Sequence, residues 1–233
     1  YKVKMDINLI RGSQTANNKA DVNIIIDVIR AFTVSHLAFH QGVKKIYLVK
    51  ETEEAFKLKK YNPNYLLFGE INGLPIAGFD GDNSPVNLKK MDLRERILVQ
   101  RTTNGVECVL NNLDAKYILV TGYSCAINTV CFVKNLTFPL DLKVINIIAS
   151  NPTGDEDFAC AEYIRDLILG SKPVDIEQTK ARIVNSHAAK KFFDGNNPSF
   201  NQEDIHACLE EIDTTFAMHV DTSSANPAIV AIP

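Results

Sequence analysis

The chain has 233 residues, 45% of them apolar, and its 25 Lys and Arg against 28 Asp and Glu give a net charge of −3. That length and apolar content allow a large buried core and exclude disorder as the main state, while the slightly acidic balance argues against a general nucleic-acid binder, which needs a basic surface. No apolar run approaches the ~20 residues of a transmembrane helix, so no membrane partner is expected.

Strand-like apolar runs and helical patterns then alternate along the chain. Tyr1, Val3, Met5, Ile7 and Leu9 share one face of an alternating segment, as in a half-buried strand. Arg11 to Lys19 is polar loop. Val22 to Ile26 is a nearly unbroken β-branched run, typical of a strand covered on both faces, and it ends at Asp27. Ala31 to Gln41 reads as a helix closed by Gly42 at the C′ position. Lys45 to Val49 is a strand, and Thr52 to Lys60 a helix with Thr52 as its N-cap. After a strand at Tyr65 to Phe68, residues Gly69 to Pro85 form a 17-residue loop rich in Gly, Pro, Asn and Asp. Structureless loops that long are uncommon and often functional. Strands at Ile97 to Val99, Tyr117 to Val120 and Val144 to Ile148 alternate with helices at Gly105 to Leu113, Cys125 to Lys134 and Glu156 to Leu169. Residues 173–212 read as short helices joined by the turn Asp194 to Pro198, and Thr214 to Val220 and Ala228 to Ile232 as two antiparallel strands. The alternation implies one α/β domain over 1–233 with a largely parallel sheet, a helical insert at about 173–212 and C-terminal strands within 214–232.

In an open α/β sheet, ligands sit beyond the carboxyl ends of the strands. Those ends here are Asp27 to Arg30, Gly69-Glu70, Arg101 to Gly105, Thr121 to Ser124 and Ser150 to Asp157. Asp27, after a buried run, reads equally as an N-cap of the next helix or as a metal ligand or catalytic carboxylate. Arg30 reads as a surface ion pair or a bidentate anion clamp. Arg101-Thr102-Thr103-Asn104-Gly105 either caps a helix or offers amides to an anion. Asp155-Glu156-Asp157 suits a helix first turn, or oxygen ligation of Mg²⁺. There is no G-x-x-x-x-G-K-[ST] and no G-x-G-x-x-G, so neither nucleotide motif is supported. The lysines at 57–60 and Lys190-Lys191 read as solvated faces. Five cysteines without a C-x-x-C pair, and an opening Tyr1 to Met5 unlike a signal peptide, lead to the expectation of reduced thiols and a cytoplasmic location.

Four short motifs in order resemble the 2-phosphosulfolactate phosphatase family. They are Ile26 to Thr33; Gly69-Glu70 with Gly78-Phe79-Asp80 and Asn83-Ser84-Pro85; Arg101 to Gly105; and Glu156 to Ala161. Together they span roughly residues 20–170. Val106 stands where the family often has threonine, Asp155 where a small or hydroxyl residue is usual, and Tyr123 to Thr129 fits the family loop only loosely. The resemblance implies a three-layer α/β/α fold with a mostly parallel mixed sheet. It also implies a Mg²⁺-dependent phosphatase that hydrolyses 2-phospho-3-sulfolactate to 3-sulfolactate and phosphate, a step towards coenzyme M. In that picture Asp27, Glu70 and Asp157 hold the metal, and Asp27, Glu156 and Asp157 are the catalytic carboxylates. Arg30, Arg101, Thr102, Thr103, Asn104 and Gly105 bind the substrate and its phosphate. The partner is a small anionic phosphate ester; a homodimer is left open. The alternatives are a phosphatase for another 2-phosphorylated hydroxy acid, and a non-catalytic binder of a phosphorylated metabolite. Attack by water and an aspartyl-phosphate on Asp27 both stay open.

Overall fold

The structure, a computed structural model, describes residues 5–140, 142–170 and 173–233, so Tyr1 and Val3 of the expected first strand lie outside the described residues. Strand β1 (Asp6–Arg11) is followed by β2 (Ala20–Ile26), α1 (Ala31–His40), β3 (Lys45–Leu48), α2 (Thr52–Tyr61), β4 (Leu66–Ile71), β5 (Leu74–Pro75), α3 (Pro85–Leu88), β6 (Ile97–Arg101) and α4 (Gly105–Leu110). Then come β7 (Ala115–Thr121), a 3-10 turn at Tyr123–Cys125, α5 (Ala126–Leu140), β8 (Val144–Ala149), α6 (Asp155–Leu169), α7 (Ile176–Asn185), α8 (His187–Phe193), α9 (Gln202–Leu209), β9 (Ala217–Asp221) and β10 (Ala228–Ile232).

The strands form one mixed sheet between helical layers, a three-layer α/β/α fold. Successive side chains of a strand point to opposite faces. In β2, Ile25 packs with Phe32 and Leu37 of α1 and Val106 and Val109 of α4. Its neighbours Ile24 and Ile26 pack on the other face with Val130 of α5, Ile164 of α6 and Ile183 of α7. α2 joins that second layer through Ala55, against Leu67 and Val99.

Two local expectations change. The N-cap of α2 is Glu51, not Thr52: the Glu51 and Glu54 side chains and backbones form a reciprocal capping box, and Thr52 is the first helical residue. The stretch from Gly69 to Pro85 is not structureless, because β4 runs on to Ile71, pairs with β5, and Gly81 bridges to Phe68. Gly69 is required there: at φ +150 a Cβ would lie 1.9 Å from the Arg101 carbonyl oxygen.

The strand order is β1-β8-β2-β7-β9-β10-β3-β6-β4-β5. The expected antiparallel pair β9–β10 therefore lies in the middle of the sheet. It pairs antiparallel with β7 on one side and β3 on the other. Consequently the parallel block β1, β8, β2, β7 runs opposite to the parallel block β3, β6, β4. Five strand-to-strand steps separate β2 from β6; at about 20–25° each the accumulated twist exceeds a right angle. Carboxyl ends that a flat sheet would hold at opposite rims are thereby turned towards one another. No helix among the described residues is long and apolar enough to cross a membrane. All five cysteines are free, and Cys131 is the exposed one.

Candidate active site

The ends of β2, β4, β6 and β8 meet at one cleft of about 700 Å³, which Asp27, Arg30, Glu70, Thr103, Asn104 and Asn151 line. Asp27 is buried at the start of α1. It is not the N-cap of α1, a place that Arg30 takes, but its Oδ1 accepts the Ala31 amide at 3.1 Å, and it also accepts the amide of Gly105. Glycine is needed at 105 because a Cβ would lie 2.6 Å from Asp27 Oδ2 and 3.1 Å from the Ala31 Cβ. Burial, and then the negative charges of Glu70 and Glu156, push Asp27 up to about 7, against the two amides.

The other carboxylates differ in what remains free. Asp157 is saturated: Oδ1 accepts the Val28 amide at 2.8 Å, and Oδ2 accepts the Ser150 hydroxyl at 3.0 Å and the Asn151 amide at 3.1 Å. It ties the end of β2 to the end of β8. Burial and the charges of Asp27 and Glu156 raise its pKa. Glu70 is similarly engaged. Its Oε1 accepts the Thr103 amide at 2.5 Å, and its Oε2 accepts the Thr103 hydroxyl at 3.0 Å and the Gly73 amide. Glu156 is 1% exposed; Asn151 Nδ2 donates to its Oε1 at 2.9 Å, while Oε2 is buried without a partner among the described residues. A buried acceptor left unpaired is costly unless something else fills the place.

The cations divide in the same way. Arg30 is 4% exposed and donates through Nη1 to Asp204 Oδ2 at 2.7 Å and to the Ser199 carbonyl at 3.4 Å. Nη2 donates to the Gly73 carbonyl at 3.1 Å. Two of the five guanidinium N–H groups thus have no protein acceptor among the described residues. Arg101 does not line the cleft. It donates through Nε to the Lys50 carbonyl at 3.2 Å and through Nη1 to the Glu70 carbonyl at 2.9 Å, so it braces the neighbouring loops. In the turn after β6, the Thr102 hydroxyl accepts the Val106 amide at 3.0 Å, Thr103 serves Glu70, and Gly105 serves Asp27. Asn104 is the turn residue that faces the cleft with polar groups to spare.

Sequence reasoning missed the roof of the site. His187, Lys190 and Lys191 of α8 line the cleft beside Asp27. The Lys190-Lys191 pair is exposed, as expected, but exposed to the cleft. Partial desolvation and the charge of Arg30 hold Lys191 below the usual lysine range. Phe192, Ala189 and Ile205 of the helical insert pack against Ile29, which joins α8 and α9 to the end of β2. Asp204 secures that joint: besides Arg30, its Oδ1 accepts the Ser84 hydroxyl at 2.6 Å and the Val86 amide at 3.2 Å. The signal in the sequence was the length of the amphipathic stretch; nothing in it showed which way its lysines would look.

Among the described residues, no three His, Cys, Asp or Glu side chains gather closely enough to cage a metal ion. Mg²⁺, however, commonly keeps several waters and takes only one or two carboxylates together with substrate phosphate. Asp27 suits that mode: it borders the cleft, and the like charges of Glu70 and Glu156 that raise its pKa would be offset by a hard dication. Glu70 and Asp157 could ligate only by releasing the amides and hydroxyls they now accept.

Comparison with known proteins adds independent evidence. The family model for 2-phosphosulpholactate phosphatase matches residues 9–228. A probable 2-phosphosulfolactate phosphatase of Bacillus subtilis is 45% identical over 97% of this chain and 98% of its own. One from Clostridium novyi is 36% identical over 66% of this chain and 65% of its own, and one from Clostridium perfringens 28% over 82% of each.

Proposed function

Because the chain belongs to the 2-phosphosulfolactate phosphatase family, we propose that this phosphatase hydrolyses 2-phospho-3-sulfolactate to 3-sulfolactate and phosphate, with Mg²⁺ as cofactor. The observation that carries the reading is the cleft itself, where the buried Asp27 stands with Asn104 and with Arg30 and its spare N–H groups. Asp27 would hold the Mg²⁺, which supplies positive charge for the phosphoryl oxygens when bound.

The remaining tasks fall to the chain's own groups. Asn104 and the two free N–H groups of Arg30 bind substrate oxygens. Glu156 is near Asp27 without itself lining the cleft, and its Oε2, which has no partner among the described residues, would take the proton of a water that reaches it. Asp157 is a positioning residue: its bonds to Val28 and Asn151 set the strand ends that carry Asp27 and orient Glu156. Glu70, Thr102, Thr103, Gly105 and Arg101 build the wall behind them.

The test is phosphate release from 2-phosphosulfolactate, 2-phospholactate and an aryl phosphate, each with Mg²⁺ and with chelator. The expected result is Mg²⁺-dependent release that is fastest with the sulfonated ester, and a loss of at least about 10³-fold in Asp27→Asn. Faster turnover of 2-phospholactate would move the substrate to another 2-phosphorylated hydroxy acid. Full activity in chelator would remove the metal. A separate readout is thermal: Mg²⁺ should raise the melting temperature of the wild type and not of Asp27→Asn.

A further inference from the structure

The helical insert brings Lys190 and Lys191, with Asp194, into the cleft that Asp27 and Glu70 also line, and Glu70 and Glu156 act on Lys191 only through space. Arg30 is matched by Asp204, which is fully buried. Lys190 and Lys191 line the same cleft, and among the described residues neither has a carboxylate partner. Lys191 is nevertheless held in place. Its Nζ lies 4.4 Å from the centroid of Phe200 and 5.8 Å from that of Phe192. A Cβ on Gly73 would come within 2.8 Å of that Nζ, so the ammonium sits against the residue whose carbonyl Arg30 engages.

We infer that Lys190 and Lys191 form a subsite for the sulfonate of the substrate, apart from the place of the phosphoryl group at Asp27. The inference rests on the phosphatase reading above and names the part of the site that selects the substrate. The three acidic groups of the ester ask for different partners. The phosphoryl group belongs with Asp27 and Asn104, and a planar carboxylate suits the guanidinium edge of Arg30. A sulfonate is tetrahedral and spreads one charge over three oxygens. It suits point-charge donors that can each turn to a different oxygen, which two adjacent lysines provide.

The test compares KM and kcat for 2-phosphosulfolactate and 2-phospholactate in the wild type, Lys190→Met, Lys191→Met and the double variant. The double variant should raise KM for the sulfonated ester by about 10–100-fold, the scale of a lost charged hydrogen bond or two, with kcat nearly kept. The penalty on 2-phospholactate should be at least about tenfold smaller. Lys191→Arg, which keeps the charge but not the rotatable ammonium, should raise KM for the sulfonated ester less than Lys191→Met does. Equal penalties on the two esters, or none on either, would overturn the subsite while leaving the phosphatase intact. Absence of phosphate release from either ester by the wild type would instead overturn the phosphatase reading. Calorimetric binding of 3-sulfolactate against lactate then tests the subsite without turnover: a preference that the double variant loses supports it, and no preference ends it.

Discussion

Asp27 opposes the stability of its own fold. In the absence of a metal its pKa of about 7, against an ordinary 3.8, means that the folded chain binds that proton more tightly than the unfolded chain does. Its contribution to stability therefore falls as pH rises from about 4 to about 7. Asparagine resembles the neutral acid, so with chelator at pH 8 Asp27→Asn should melt about 5 °C above the wild type while losing activity. His36 acts in the opposite sense. Buried between the Ser124 hydroxyl at 3.0 Å and the Thr214 hydroxyl at 2.9 Å, it is pushed down to about 4, chiefly by desolvation and then by His40. Its contribution is complete above about 6.5 and is lost as pH falls to about 4. The two slopes offset each other in the wild type. With chelator, urea midpoints between pH 6.5 and 4.5 should fall more steeply in Asp27→Asn than in the wild type, and less steeply in His36→Gln. Identical slopes in all three would refute the assignment.

At the scale of elements, register is set by amides as well as by apolar runs. Asn8, Asn146 and Asn23 stand opposite one another across β1, β8 and β2. Asn8 Nδ2 donates to Asn146 Oδ1 at 3.1 Å, and Asn146 Nδ2 donates to Asn23 Oδ1 at 3.2 Å. Asn18 adds a second donor to Asn146 Oδ1 at 3.1 Å. A one-residue slip would strand these groups in the core. Asn146→Ala should cost about 2–4 kcal/mol, read from denaturant unfolding, because it leaves a cavity and takes the Asn146 donor from Asn23 Oδ1. The strands themselves were legible, since β-branched runs such as Val22 to Ile26 have few other uses. The ladder was not, because Asn146 and Asn23 are 123 residues apart and a lone asparagine in an apolar run carries no sign of its partner. The helices of the insert were legible for the same reason as the strands. An amphipathic pattern shows which face is wet, not what that face looks upon, so Lys190 and Lys191 gave no hint of the cleft. Likewise Arg30 was visible as a cation near a strand end, while Asp204, which pairs with it, was hidden 174 residues away.

For the molecule as a whole, alternation of strands and helices was enough to give the α/β class, but strand order lay beyond it. Order depends on which edges find one another, and here β3 finds β10 through pairs such as Ile46 with Ile229. The reversed second block follows from that choice, and the shared cleft follows from the twist across it. A chain ending at residue 212 would lack β9 and β10 and so leave β7 and β3 as open edges. It should be recovered in aggregates, whereas aggregation no greater than the wild type's, seen by size-exclusion chromatography, would mean the two blocks fold apart. The same placement has a consequence for synthesis. The strands that sit innermost leave the ribosome after the other strands of this sheet, so the growing chain carries two half-sheets with bare, apolar margins until β9 and β10 emerge. Such a nascent chain needs either rapid completion or a chaperone's shelter.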